Sequence, residues 1–76
     1  MHLLIVEDDR TIAENLYDYL EARGHQCDYA GSIAAASALL ARSVFDAVVL
    51  DRNLPDGDGL ALARRLRAEG CATPIL

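Results

Sequence analysis

The stretch Val44 to Gly59, VFDAVVLDRNLPDGDG, decides the fold of this chain. Asp46 and Asp51 bracket the run Ala47-Val48-Val49-Leu50, which is β-branched and too short for a helix. A continuous apolar run of this kind fits a strand covered on both faces, as in a parallel sheet with helices on each side. The loop after it is rich in turn formers: Leu54-Pro55 fixes the turn, and Gly57 and Gly59 permit positive φ or a close approach. Ligand chemistry in open α/β sheets gathers beyond the carboxyl ends of the strands, which is where Asp51 falls.

Outward from this strand the chain alternates. His2 to Val6, HLLIV, reads as a first strand ending abruptly in Glu7, Asp8 and Asp9. A helix follows with Ile12, Leu16, Tyr19 and Leu20 at three- and four-residue intervals, capped by Asp9 or by a Thr11/Glu14 capping box. Arg23 suits its last turn, and Gly24 the left-handed position that ends it. Gln26 to Ala30, alternating and partly polar, reads as an edge strand. Gly31-Ser32 supplies a turn and an N-cap, and Ile33 to Arg42 forms an alanine-rich helix with Ile33, Ala36, Leu39 and Leu40 inward. A third helix, opened by Asp58 or Gly59, spans Leu60 to Ala68 with Leu60, Ala63 and Leu66 inward and Leu62 at its flank, and Gly70 closes it. Thr73-Pro74-Ile75-Leu76 begins a fourth strand. The order β-α-β-α-β-α plus the start of a strand indicates right-handed βαβ units and a parallel sheet.

The 76 residues allow one small domain, with 53% hydrophobic and 25% charged residues as in ordinary globular chains. No apolar run approaches the roughly 20 residues that span a bilayer, and the amino terminus lacks a signal-peptide pattern, so a cytoplasmic protein with no membrane role is expected. A net charge of −5 argues against direct nucleic-acid binding; Arg64, Arg65 and Arg67 read as a solvated helix face. Cys27 and Cys71 have no metal-type spacing and read as reduced thiols. Tyr17, Tyr19 and Tyr29 read as packing or partly exposed rings, His2 as a strand-start residue and His25 as a turn residue. A chain stopping four residues into a strand leaves that strand's helix out, and a core this small rarely supplies more than about 3–5 kcal/mol. A larger domain cut short is therefore expected, or one that completes itself by homodimerisation or swapping through an open edge on the third strand.

If the first and third strands are neighbours, Glu7, Asp8 and Asp51 point into one shallow cleft. Two unit charges at about 4 Å repel by roughly 4 kcal/mol at an effective dielectric near 20, so the cluster needs a cation, a shared proton or open solvent. Hard oxygen ligands suit Mg²⁺. Asp51 is then placed to attack a phosphorus atom as a nucleophile. Acidic residues at a helix start also serve simply as dipole-complementing caps. Two such features, each directly after an apolar strand, are harder to explain that way, and the Asn53 carbonyl can face the same cleft.

VVLDRNLPDGDG after LLIVEDD resembles the receiver domain of bacterial two-component response regulators, particularly those of the winged-helix (OmpR/PhoB) type, across all 76 residues. The resemblance implies a flavodoxin-like doubly wound sheet in order 2-1-3-4-5, with residues 1–76 its amino-terminal part. It implies Asp51 as phospho-acceptor, Asp8 as a direct Mg²⁺ ligand, Glu7 acting through water or a hydrogen bond, and Asn53 through its backbone carbonyl. It implies a sensor histidine kinase as partner, docking on or near Ala13, Asn15 and Leu16, and DNA binding only through an output domain outside this chain. It implies no turnover enzyme. The hydroxyl residue after the fourth strand, the lysine after the fifth and the switch aromatic all lie beyond Leu76. The alternative is a receiver-fold interaction or dimerisation module that binds metal without phosphotransfer. Other classes fit less well. A dinucleotide site wants glycines where Glu7-Asp8-Asp9 repel phosphate. A dehalogenase-type phosphatase has a second Asp where Asn53 stands, and an EF-hand fails at Pro55, Asp56 and Leu62.

Overall fold

A computed structural model describes residues 1–76. The elements are β1 (His2–Val6), α1 (Arg10–Ala22), β2 (Gln26–Ala30), α2 (Ile33–Arg42), β3 (Ala47–Leu50), β4 (Asn53–Leu54), β5 (Gly57–Asp58) and α3 (Gly59–Ala68). The three long strands form a parallel sheet in the order β2-β1-β3. Leu3 lies opposite both Cys27 and Ala47, and Val6 opposite both Ala30 and Leu50.

β1 is the central strand, and its period-two alternation builds both layers of the core. Leu4 and Val6 join Ala30, Ala36, Phe45, Val48, Leu54, Leu62 and Leu66 on the face covered by α2 and α3. Leu3 and Ile5 join Ala13, Cys27 and Ala47 on the face covered by α1. The chain passes from β1 to β2 over one face and from β2 back across β1 to β3 over the other. That reversal makes the carboxyl ends of β1 and β3 a topological switch point, the crevice where α/β sheets take their ligands.

The helix boundaries follow their caps. Asp9 Oδ1 accepts from the N–H groups of Thr11 and Ile12, so of the two caps considered it is Asp9 that starts α1. Ser32 Oγ accepts from Ala35 N–H, and Asp58 Oδ1 from Leu60 N–H. Gly24 and Gly70 adopt φ of 88° and 83° after α1 and α3, the left-handed stop that glycine takes without steric cost.

Three expectations are corrected. α1 packs through Ala13, Leu16 and Leu20, while Ile12 and Tyr19 are 48% and 56% exposed. The inward stripe is centred on an alanine, because a close helix–sheet approach needs a small residue there. Tyr19 instead lies against the Arg23 guanidinium, 4.3 Å from the ring centroid. In α3 the inward pair is Leu62 and Leu66, and Leu60 is turned outward. The β3 edge expected to be open is paired from within the chain: Val48 N–H donates to Pro74 O at 2.8 Å, Leu76 N–H to Val48 O at 2.8 Å and Leu50 N–H to Leu76 O at 3.0 Å. Ile75 bridges Val48 in parallel, so the final residues extend the sheet beyond β3 in the expected direction. Val49 and Leu50 are only half-buried, fewer neighbours covering β3 than β1.

Candidate functional site

Main-chain pairing brings the acidic residues together. Glu7 N–H donates to Ala30 O at 3.0 Å as β1 ends, and Asp51 N–H donates to Val6 O at 2.9 Å as β3 ends. Each bond carries the parallel ladder one residue past its strand, so the first carboxylate after β1 and the first after β3 emerge side by side. Glu7, Asp8 and Asp51 each place a carboxylate oxygen within 4.8 Å of the others. Asp9, the third acid of the run, is turned away to cap α1.

The electrostatics are those of clustered carboxylates. The Glu7 carboxyl is pushed above the usual carboxylate range, first by burial and then by the charge and hydrogen bond of Asp51 and the charge of Asp8. The Asp9 N–H, donating to Glu7 Oε1 at 3.2 Å, opposes this without cancelling it. Three oxygen donors at this spacing fit a hard divalent cation such as Mg²⁺, which takes one or two carboxylates and keeps its remaining positions for water and a phosphoryl oxygen. Asn53 follows as the first residue of β4, exposed and paired with Asp58.

The segment after Asp51 is a miniature antiparallel hairpin, β4 against β5, where the sequence showed only a loop. Leu54 anchors it in the core. Gly59 N–H donates to Arg52 O at 2.7 Å, and a Cβ on Gly59 would overlap the Asp51 carbonyl oxygen, so only glycine fits at that approach. Arg52 lies 3.8 Å from the Asp58 carboxylate. Asp56, at the hairpin turn, reaches the first turn of α2. That contact leaves no local trace in the chain, because nothing nearby tells which helix a loop carboxylate will meet. A cleft of about 400 Å³ between α2 and α3, lined by Phe45, Arg65 and Cys71 among others, contains none of Glu7, Asp8 and Asp51.

A doubly wound sheet with clustered carboxylates at its switch point defines a class: an α/β domain with an acidic crevice at the carboxyl ends of its strands. Residues 3–76 match the response regulator receiver domain family, and the chain belongs to that family. It is 45% identical over 76 residues to the transcriptional regulatory protein PmrA of Pectobacterium parmentieri, covering all of this chain and 34% of that protein. Among solved structures it is similar to the non-phosphorylated HemR receiver domain of Leptospira biflexa, with 36% identity and a TM-score of 0.89 over 97% of this chain and 60% of that one. It is also similar to the response regulator TrrA of Thermotoga maritima in complex with Mg²⁺-BeF, with 28% identity and a TM-score of 0.91 over 97% of this chain and 64% of that one. The chain thus spans about a third of the length of PmrA. No helix is long and apolar enough to cross a membrane.

Proposed function

We propose that Asp51 is the phospho-acceptor through which a sensor histidine kinase controls a response regulator, in the cytoplasm and to a transcriptional end. The observation that carries this reading is the convergence of Glu7, Asp8 and Asp51 within 4.8 Å at the switch point. Asp8 and Asp51 would hold Mg²⁺ through carboxylate oxygens, Glu7 would act through a water or a hydrogen bond, and Asn53 would contribute its main-chain carbonyl. Bound Mg²⁺ offsets negative charge on the transferring phosphoryl group.

The chain's own residues do the rest. Asp51 is tied to β1 through its N–H, which holds the main chain from which its carboxylate projects. An Asp51 Oδ–P bond forms as the phosphohistidine N–P bond breaks, and the electron pair of that bond returns to the imidazole of the kinase. After transfer the phosphoryl group stays on the Asp51 carboxylate, so the domain itself carries the signal as a switch. The similarity to a regulator complexed with Mg²⁺-BeF supports the metal and the phosphoryl chemistry, and the similarity to PmrA supports a transcriptional output.

The test is phosphate uptake by the full-length protein carrying this sequence, from a small acyl phosphate, followed by intact mass. A gain of one phosphoryl group that requires Mg²⁺ and is lost in Asp51→Asn is expected. Undiminished uptake in Asp51→Asn sinks the assignment. Mg²⁺ binding with no uptake under any donor favours the interaction-module alternative.

A further inference from the structure

The β4–β5 hairpin has two residues in each strand, and a hairpin of that size does not hold itself together in water. Its position comes from outside contacts. Leu54 is buried at one end and Gly59 sits against the Asp51 carbonyl at the other. Between them, the turn reaches across to a different helix. Asp56 Oδ1 accepts from Ile33 N–H at 2.8 Å, and Asp56 Oδ2 accepts from Ala34 N–H at 3.0 Å.

These are two of the N–H groups that the first turn of α2 leaves without helical partners. Ser32 already caps α2 locally through Ala35 N–H, so the helix does not depend on a distant residue to begin. The Asp56 carboxyl is held below the usual carboxylate range by the same two N–H groups, so it is ionised at neutral pH. Beside it, Gly57 has φ 153°, and a Cβ there would come within 2.8 Å of Ile33 Cδ1. Ile33 therefore meets the hairpin turn through both its backbone and its side chain.

We propose that Asp56 is a positioning residue for the acidic site. It clamps the hairpin turn to α2 and so fixes the main chain that leaves Asp51 and carries the Asn53 carbonyl. The inference rests on the reading of Glu7, Asp8 and Asp51 as the cation and phosphoryl site. It makes the Ile33 and Ala34 N–H groups, and not the Ser32 cap beside them, part of what holds the acceptor loop.

The test uses the full-length protein, with Mg²⁺ affinity measured directly by calorimetric titration and phosphate uptake measured from acetyl phosphate. Ser32→Ala is the structural control, because it removes a cap from the same helix turn without touching the hairpin. Asp56→Ala is expected to weaken Mg²⁺ binding by about tenfold, the lower end of what loss of a supporting partner does at metal sites, and to slow uptake in proportion. Asp56→Asn, which keeps an acceptor oxygen for one of the two N–H groups, falls between Asp56→Ala and the parent and is the informative variant if Asp56→Ala does not fold. Ser32→Ala lowers the unfolding temperature but leaves Mg²⁺ affinity at the parent value. Equal losses of Mg²⁺ affinity in Ser32→Ala and the Asp56 variants, or parent-like affinity in Asp56→Asn and Asp56→Ala, overturn the proposal. Failure of the underlying reading is separately visible: the parent protein then takes up no phosphate, or Asp51→Asn binds Mg²⁺ as the parent does.

Discussion

Asp51→Asn is expected to stabilise the metal-free protein while abolishing its function. Asp51 has two other carboxylates within 4.8 Å. At that separation a pair of unit charges repels by about 0.9 kcal/mol in water and about 3.5 kcal/mol at an effective dielectric of 20. Asp8 is exposed and Glu7 and Asp51 are partly exposed, so solvent screening holds the value near the lower end. Removing both repulsions gives a gain of about 1–2 kcal/mol at low ionic strength. For a domain of this size that raises the unfolding midpoint by roughly 4–8 °C per kcal/mol. Thermal unfolding in EDTA, in excess Mg²⁺ and in high salt measures the effect. The gain should be largest in EDTA, shrink in salt as screening shortens the range of the repulsion, and vanish or reverse in Mg²⁺, which stabilises only a chain that binds it. A variant less stable than the parent in EDTA, or a gain indifferent to both salt and Mg²⁺, refutes the account of Asp51 as one charge of an unneutralised cluster.

The pH dependence has a definite sign. The raised Glu7 carboxyl contributes stability below the carboxyl's unfolded-state value, and that contribution is lost as pH rises through the folded-state value. Metal-free protein should therefore lose stability through that window on urea titration, and Glu7→Gln should flatten the loss. Gly59→Ala drives a methyl into the Asp51 carbonyl and should cost about 1–3 kcal/mol in urea unfolding while also slowing phosphate uptake. Asp9→Ala removes the cap on Thr11 and Ile12 and should cost about 1 kcal/mol of stability; calorimetric titration should show its Mg²⁺ affinity unchanged, because that carboxylate points into α1.

What could be read from the chain and what could not divides along a physical line. β1 and β3 were legible because an unbroken apolar run ending in carboxylates reflects burial on both faces and an abrupt exit to solvent, both local properties. Asp9, Ser32, Asp58, Gly24 and Gly70 were legible for the same reason, since caps act on residues two or three positions away. Glu7, Asp8 and Asp51 could be joined only by assuming that β1 and β3 are neighbours, which the register Leu3 to Ala47 shows to be correct. The α1 face was misjudged because hydrophobic spacing favours Ile12 and Tyr19, whereas packing distance favours Ala13. The two-residue strands β4 and β5 are too short to leave a periodic signal. The Asp56 contact spans 22 and 23 residues to α2, and only the assembled fold brings the two together.

The most direct measurement is to map the modified residue itself. The full-length protein is treated with acetyl phosphate and Mg²⁺, the acyl phosphate is trapped by reduction with borohydride, and the peptides are sequenced by mass spectrometry. The label should appear at Asp51 and disappear when Mg²⁺ is chelated. Label at Glu7, Asp8 or any other carboxylate in place of Asp51, or labelling of Asp51 that persists without a divalent cation, contradicts the account.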